Sequence, residues 1–357
     1  MKYLLIILLF VGGCAGRGRQ NAVSPQTTKE EVADINVRIN TLLKKNYTQG
    51  DAVIVGYEAS ERIDSANVES SDKSLVISPI KGGKGWSIKT SNKSKVGDVP
   101  YKFNFYIGGK SYSRSSTYHL LPLSAPKNYN AVIDEVMTIK NYFLQGLEIV
   151  GDTLFVSSGS YGKSFVEFMK FPSKKVLKVQ DVDKKYFGEG LTVLHNKIYV
   201  LTWENRRCIV YDRNTLKQIK EIEYPYAEGW GLTNDGQFLY MSDGTKYIYK
   251  LDPETLKEVD RIEVTGKSGT VEYLNELEWI DGEIWANVFT YNYILRIDPT
   301  TGAVKGIVRC NDLVDNVTIG SAEDFLNGIA LDKRNNKLYL SGKNWKKLFK
   351  VSIKEVL

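Results

Sequence analysis

A short phrase that returns five times between residues 145 and 345 constrains the fold of this chain more than any other feature. The first copy reads Gln-Gly-Leu-Glu-Ile-Val-Gly-Asp-Thr-Leu-Phe-Val at 145–156, and the second reads Glu-Gly-Leu-Thr-Val-Leu-His-Asn-Lys-Ile-Tyr-Val at 189–200. A third copy begins at Trp230, and two looser copies begin at Asn275 and Asn327. Successive copies start 44, 41, 45 and 52 residues apart, a spacing that, with several short strands per unit, is typical of propellers and similar arrays.

Each unit also contains a second hairpin, and the last unit is cut short. Hairpins that begin at Cys208, Tyr247 and Tyr293 repeat one another, with Asp-Pro-x-Thr as the turn in the last two. The final copy runs from Lys347 towards the chain end without its last strand, whereas residues 129–139 form a strand-like segment before the first copy. Such a segment would close the ring and protect its edge strands, so we expect a five-bladed β-propeller over residues 129–357.

The residues before the propeller predict a smaller domain. Short strand-like runs lie at 52–57, 75–77, 85–88 and 101–107, and the last ends in a Gly-Gly turn. This pattern favours a β-sandwich of immunoglobulin-like type over residues 31–125, acting as a spacer or docking module. Residues 30–45 fit a short helix or an extended segment equally. The stretch 122–128 is the predicted linker, so the expected fold class is all-β throughout.

The first 14 residues resemble a bacterial lipoprotein signal. Lys2 precedes an apolar run that is too short to span a bilayer, and the segment ends Val-Gly-Gly-Cys at Cys14. We expect an exported lipoprotein whose acylated Cys14 holds it at a membrane, on the periplasmic or cell-surface side, with residues 15–30 as a polar tether. The alternative is ordinary signal cleavage near Ala15.

Composition excludes several classes of function. The net charge of +6 is spread through Lys-rich turns without a basic block, which argues against nucleic-acid binding. With only His119 and His195 present, a His-based catalytic triad or a multi-His metal site is nearly excluded. Beyond Cys14, only Cys208 and Cys310 remain, in different repeats, and we expect both to be buried thiols.

The residue at the first position of the phrase differs between copies, and this variation indicates the functional site. If the phrase forms the innermost strand of each blade, its first residues surround one mouth of the central channel. These first-position residues are Gln145, Glu189, Trp230, Asn275 and Asn327. A second ring in the same alignment consists of Gly159, Trp203, Gly244, Phe289 and Lys343. Together the rings predict a small, partly apolar pocket with a few convergent polar groups. In the alternative, the aromatics are core residues and the amides cap turns.

Eight motifs in order resemble the plant-type glutaminyl-peptide cyclotransferases, from about residue 130 to 353. They are Phe-Leu-Gln-Gly-Leu at 143–147, Phe-Gly-Glu-Gly-Leu at 187–191, Gly-Trp-Gly-Leu at 229–232, Ser-Asp-Gly-Thr at 242–245, Leu-Asn-Glu-Leu-Glu at 274–278, Ile-Trp-Ala-Asn at 284–287, Leu-Asn-Gly-Ile-Ala at 326–330, and Gly-Lys-x-Trp-x-Lys-Leu-Phe at 342–349. The resemblance implies a five-bladed propeller unrelated to the zinc-dependent animal enzymes. It does not extend to residues 15–128.

The implied activity is conversion of an N-terminal glutamine to pyroglutamate with loss of ammonia. The free α-amine attacks the side-chain amide, and one carboxylate can take the proton and then return it to the leaving nitrogen. Among the five first-position residues only Glu189 is an acid, and it is the expected proton shuttle. Lys343, Asn275 and Gln145 are the expected donors to the oxyanion. Among the other expected substrate contacts, Glu276 would bind the α-ammonium of the substrate and Asn327 would offer an amide. The expected aromatic walls are Phe143, Trp203, Trp230 and Phe289.

One departure and two rival functions stay open. Phe289 stands where the family pattern usually has a further Trp, which keeps an aromatic wall without an indole N–H. The first rival is a non-catalytic propeller that binds peptide or glycan at the same mouth. The second is a metal-dependent lactonase-type propeller, although the first ring offers only one acid. We expect a monomer that acts on peptides or proteins with N-terminal Gln and requires no cofactor, and the sequence leaves a structural metal ion open.

Overall fold

The computed structural model describes residues 37–41 and 46–356, which form an all-β structure with one short α-helix. The predicted signal segment with Cys14 and the predicted tether lie outside these residues. Within the described ranges, no helix has the length and apolar character needed to cross a bilayer.

Two four-stranded sheets share one core in the N-terminal part of the chain. Their strands are β1 (Val37–Thr41), β2 (Asn46–Thr48), β3 (Ala52–Ala59), β4 (Ser65–Glu69), β5 (Val76–Pro79), β6 (Gly85–Lys89), β7 (Gly97–Ile107) and β8 (Lys110–Leu121). The sheet orders are β1-β3-β6-β5 and β2-β8-β7-β4. Val53, Val55 and Ile88 of the first sheet are buried together with Phe103 and Phe105 of the second. Helix and extended chain were both open for residues 30–45; of these the structure describes residues 37–41, which form strand β1.

The C-terminal part contains five four-stranded units. The strands are β9 (Lys127–Thr138), β10 (Leu144–Val150), β11 (Thr153–Ser158), β12 (Phe165–Lys170), β13 (Lys175–Asp181), β14 (Gly188–Leu194), β15 (Lys197–Thr202), β16 (Arg207–Asp212), β17 (Gln218–Glu223), β18 (Leu232–Asn234), β19 (Leu239–Ser242), β20 (Tyr247–Leu251), β21 (Glu258–Glu263), β22 (Thr265–Gly266), β23 (Gly269–Thr270), β24 (Leu274–Ile280), β25 (Glu283–Val288), β26 (Tyr293–Ile297), β27 (Val304–Arg309), β28 (Leu326–Asp332), β29 (Lys337–Gly342) and β30 (Lys347–Val356), with helix α1 (Asn311–Asp315) before β28. Three units are separate sheets, β10–β13, β14–β17 and β18–β21.

The last two units join into one eight-stranded sheet through β9. Strand β9 pairs antiparallel with β30, from Lys347 opposite Thr138 to Val356 opposite Asn128, which confirms that a strand before the first repeat completes the last unit. Strand β9 also pairs in parallel with β27 over residues 127–130, a contact that the sequence analysis did not anticipate. Strand β9 therefore begins at Lys127, inside the predicted linker.

The glycine that four of the five copies share at the second position of the phrase has a steric cause. The first strands of the units, β10, β14, β18, β24 and β28, contact one another in a closed circle. A Cβ atom on Gly190 would lie 2.5 Å from the carbonyl oxygen of Trp230, and one on Gly231 would lie 1.9 Å from that of Asn275. Only glycine allows the backbones of neighbouring first strands to approach so closely.

Contacts fix the N-terminal sheets against the third and fourth units. The Lys246 ammonium of the third unit lies 3.0 Å from Asp98 of β7 and 2.9 Å from Glu263. The Val96 N–H donates to the carbonyl oxygen of Thr301 at 2.8 Å. The two parts of the chain thus meet through backbone and charged contacts.

Candidate functional site

A cavity of about 290 Å³ opens where the first strands of the units begin. It combines six half-buried aromatic rings with five polar or charged side chains. The lining residues are Phe143, Gln145, Phe187, Glu189, Trp203, Trp230, Asn275, Phe289, Glu323, Phe325 and Lys343. An apolar enclosure with a few convergent polar groups is the general form of a site for a small ligand group.

Glu189 lies at the start of β14 and is 5% exposed. Its Oε1 accepts a hydrogen bond from Gln145 Nε2 at 3.0 Å, while Gln145 Oε1 accepts one from Asn327 Nδ2 at 3.3 Å. Burial raises the pKa of the Glu189 carboxyl well above its usual value; nearby Lys343 opposes that rise in pKa and Glu228 adds to it. A carboxyl perturbed in this way can exchange a proton closer to neutral pH than an exposed one.

Lys343 faces Glu189 from the turn between β29 and β30 and is 6% exposed. Its Nζ lies 4.9 Å from the centre of the Phe143 ring and 5.4 Å from that of Phe289, a cation–π arrangement. Burial lowers the pKa of the Lys343 ammonium, and the negative charges of Glu189 and Glu323 oppose that lowering. The site thus holds a buried acid, Glu189, and a buried base, Lys343, and burial disfavours the charged form of each.

Two glycines of the predicted second ring make room for aromatic rings. A Cβ on Gly159 would lie 2.2 Å from the Phe187 ring, and one on Gly244 would lie 2.7 Å from the Trp230 ring. Where the second ring has glycine, an aromatic side chain from another segment of the protein fills the space: Phe187 at Gly159 and Trp230 at Gly244.

Eight of the ten residues expected at the pocket line this cavity, namely Gln145, Glu189, Asn275, Lys343, Phe143, Trp203, Trp230 and Phe289. Gln145, expected as an oxyanion donor, directs its amide nitrogen at Glu189.

Glu276 and Asn327 lie outside the lining, which corrects their expected positions. The Glu276 carboxylate accepts the Ile329 N–H at 2.9 Å and is 1% exposed, so it faces the neighbouring strand rather than the cavity. Successive residues of a strand point to opposite faces, and Asn275 takes the cavity side. Asn327 donates to the Leu144 carbonyl oxygen and to Gln145, and its Oδ1 has no hydrogen-bond partner among the described residues.

The sequence analysis missed three lining residues, Phe187, Glu323 and Phe325. A pattern in the sequence could have indicated two of them. The position two residues before each first-position residue is occupied by Phe143, Phe187, Glu228, Tyr273 and Phe325. Residues two apart on a strand share a face, so this position belongs to the same mouth. Glu323 lies in the longer connection between α1 and β28 and has no counterpart in the repeat.

Two clusters of carboxylates lie away from the cavity. Glu276 and Glu278 are buried and Glu148 is half-buried along the circle of first strands. Desolvation raises the pKa of Glu148 to about 7 and the pKa values of the other two well above the usual range. Asp98, His119 and Glu263 have ligand atoms within 4.8 Å of one another, a grouping that can hold a metal ion. The Lys246 ammonium already bonds to both Asp98 and Glu263 there, so the second cluster carries its own counter-charge.

Comparisons with known proteins agree on one family. The glutamine cyclotransferase family model matches residues 108–353. Glutaminyl-peptide cyclotransferase from Arabidopsis thaliana is 37% identical over 256 residues, which cover 71% of this chain and 80% of that protein. The crystal structure of Myxococcus xanthus glutaminyl cyclase is similar with a TM-score of 0.61 and 28% identity, over 65% of this chain and 100% of that one.

Proposed function

The chain belongs to the glutamine cyclotransferase family, and from that premise we propose that it converts the N-terminal glutamine of peptides or proteins to pyroglutamate with release of ammonia, with Glu189 as the proton shuttle. The observation that carries the proposal is a buried carboxyl, Glu189, facing a buried ammonium, Lys343, in a cavity walled by aromatic rings. The matched residues 108–353 include every residue that lines that cavity.

The reaction joins two groups of one substrate residue. The neutral α-amine attacks the side-chain amide carbon, a C–N bond forms, and the carbonyl oxygen becomes an oxyanion. Glu189 removes a proton from the attacking nitrogen and then delivers it to the departing amide nitrogen, which leaves as ammonia when the second C–N bond breaks. The carboxylate ends in its starting state. Such proton transfer contributes typically about 10²–10⁴-fold to the rate.

The remaining lining residues have supporting roles in this proposal. Lys343 and Asn275 stabilise the oxyanion, and each donor of this kind is worth about 10²-fold or more in rate. Gln145 holds the Glu189 carboxyl in place through the 3.0 Å hydrogen bond. Phe143, Trp203, Trp230 and Phe289 fold the glutamine side chain back on its amine and exclude water, which supplies much of the catalysis by proximity.

We propose that the five C-terminal units are the blades of a five-bladed β-propeller at residues 129–357. The closed circle of first strands and the completion of the last unit by β9 support this arrangement. The two N-terminal sheets, with their shared core, support a sandwich domain at residues 31–125, and we propose an immunoglobulin-like topology for it.

The experiment measures ammonia release and the matching mass loss from a peptide that begins with glutamine. Purified wild-type protein is compared with enzyme-free peptide, which corrects for spontaneous cyclisation, and with a peptide whose glutamine is not N-terminal. The Glu189→Gln variant keeps the size of the side chain and removes its proton chemistry. We expect its kcat to fall about 10²–10⁴-fold with the fold intact.

The Glu204→Gln variant is the matched control, because Glu204 is exposed and bonds the Tyr161 hydroxyl outside the cavity lining. Full activity in Glu189→Gln would refute the proton-shuttle role and leave the family membership standing. Binding of the peptide without ammonia release by the wild type would instead favour a non-catalytic peptide-binding propeller. Activity that persists after exhaustive chelation would exclude the metal-dependent alternative.

A further inference from the structure

Glu228 joins two tryptophans of the cavity through one oxygen atom. It lies in the loop between β17 and β18, and its Oε2 accepts hydrogen bonds from Trp203 Nε1 and from Trp230 Nε1, both at 2.7 Å. Both indole rings line the cavity, whereas Glu228 does not belong to the lining. The carboxylate therefore lies behind the aromatic surface that the substrate would contact.

The aromatic rings form two separate runs, and Glu228 connects them. In the first run Phe187 contacts Phe143 at 6.1 Å and Trp203 at 5.7 Å between ring centres. In the second, Phe289 contacts Trp230 at 5.5 Å and Phe325 at 5.1 Å.

Trp203 ends the first run and Trp230 ends the second. Among the described residues, each indole contacts only one other aromatic ring. The carboxylate fixes both, since hydrogen bonds to a charged acceptor are the stronger kind. Glu228 thus links the two runs through their tryptophans, while the Lys343 ammonium lies over Phe143 of the first run and Phe289 of the second.

The same carboxylate acts on Glu189 through its charge. Glu228 disfavours the ionised form of Glu189 and so raises the pKa of Glu189, while Lys343 opposes that effect. The other titratable groups that interact with Glu189 are the Tyr161 and Tyr224 hydroxyls, whose own pKa values its charge helps to raise. Of these neighbours, Glu228 alone combines a negative charge with a direct bond to the cavity wall.

We propose that Glu228 is a positioning residue for the cyclisation: through its two hydrogen bonds it orients Trp203 and Trp230 around the substrate glutamine. This inference rests on the proposed function. It gives one residue two separable effects, one on substrate binding through geometry and one on the pH dependence through charge.

The experiment separates these effects with two variants. Glu228→Ala removes both acceptor and charge, so we expect KM to rise about 10-fold through loss of the two indole bonds. Glu228→Gln retains an acceptor oxygen and removes the charge. We expect a nearly unchanged KM, with the acidic limb of the kcat/KM profile moved to lower pH, because Glu189 then ionises more readily. Glu204→Gln, with the same change of charge outside the cavity lining, should match the wild type in both.

The indole N–H groups supply a readout that does not depend on activity. In ¹⁵N-tryptophan-labelled protein, Trp203→Phe and Trp230→Phe identify the two Nε1–H resonances. Both should move and exchange faster with solvent in Glu228→Ala. Wild-type KM in Glu228→Ala together with an unshifted pH profile in Glu228→Gln, or unchanged indole resonances in Glu228→Ala, would overturn the proposal. If the wild type releases no ammonia while the indole resonances still respond to Glu228→Ala, the proposed function fails and the structural role of Glu228 stands.

Discussion

Replacing Gly231 with alanine tests whether the circle of first strands controls the geometry of the cavity. The new Cβ atom would lie 1.9 Å from the carbonyl oxygen of Asn275 and 2.9 Å from the Cα of Glu276, whereas ordinary contacts begin near 3.4 Å. The obstructing atoms are backbone, so no side-chain rotation relieves the clash. Strands β18 and β24 must separate by about 1.5 Å, or one of them must tilt.

This displacement has two expected consequences. Overpacking of this type costs typically about 1–3 kcal/mol of stability, and backbone-to-backbone contact places the variant at the upper end of that range. Asn275 lines the cavity, so its amide moves with the strand. A misplacement of about 1 Å in an active site can lower the rate about 10²-fold. We therefore expect a loss of kcat that exceeds any change in substrate binding.

The assays are urea unfolding and ammonia release, with Gly266→Ala as the control. Gly266 lies in the β22–β23 hairpin, and the atom nearest to an added Cβ there is 3.8 Å away, which is ordinary contact. Its unfolding midpoint and activity should stay near those of the wild type. A Gly231→Ala protein with the wild-type midpoint and kcat would refute the argument that close strand approach requires glycine in the repeated phrase.

Three further predictions concern charge and location. In Lys343→Met, loss of the buried cation raises the pKa of Glu189 further, so the acidic limb of kcat/KM should move to higher pH; a shift to lower pH would contradict this. Burial raises the pKa of Glu148 to about 7, so folding takes up a proton and the free energy of unfolding should fall as pH rises from about 4.3, the usual Glu value, to about 7. Glu278→Gln removes a second carboxyl whose pKa is raised well above its usual value by burial and by the charge of Glu148, so the proton that this carboxyl takes up on folding is lost and the fall should flatten; a slope equal to that of the wild type in urea titrations would refute it. Cys14→Ser should abolish labelling by radioactive fatty acid and release the protein from the membrane fraction, and continued labelling would exclude Cys14 as the acylated residue.

The first strands were predictable because four of the five copies of the phrase share a glycine and all five follow a regular strand pattern. The same regularity located the cavity, since the first-position residues change identity while the surrounding frame repeats. Strand β8 was missed because its residues are mostly small and polar, and its burial alternates between exposed and half-buried for most of its length. The parallel pairing of β9 with β27 was equally hidden, because parallel neighbours far apart in sequence leave no turn to mark them.

Glu276 and Glu228 show where sequence reasoning about the site failed. Glu276 is adjacent to a cavity residue, but strand alternation turns its carboxylate towards β28. Glu228 precedes the repeated phrase and has no acidic counterpart in the other copies, so alignment alone gave it no role. Its function depends on two tryptophans from different units meeting at one oxygen atom, a distance relation that only the folded chain contains.

The pairing of β9 with β30 also sets the order of events during synthesis. Thr138 and Lys347 are partners although they lie roughly 200 residues apart along the chain, and contacts of such separation form late. A growing chain can complete its first three sheets in turn as each hairpin emerges. The ring itself has to wait for β30, and until then β9 presents to its surroundings the unpaired edge that β30 later covers. A ribosome stalled near residue 345 would therefore hold a chain that lacks β30 and whose last unit is still incomplete.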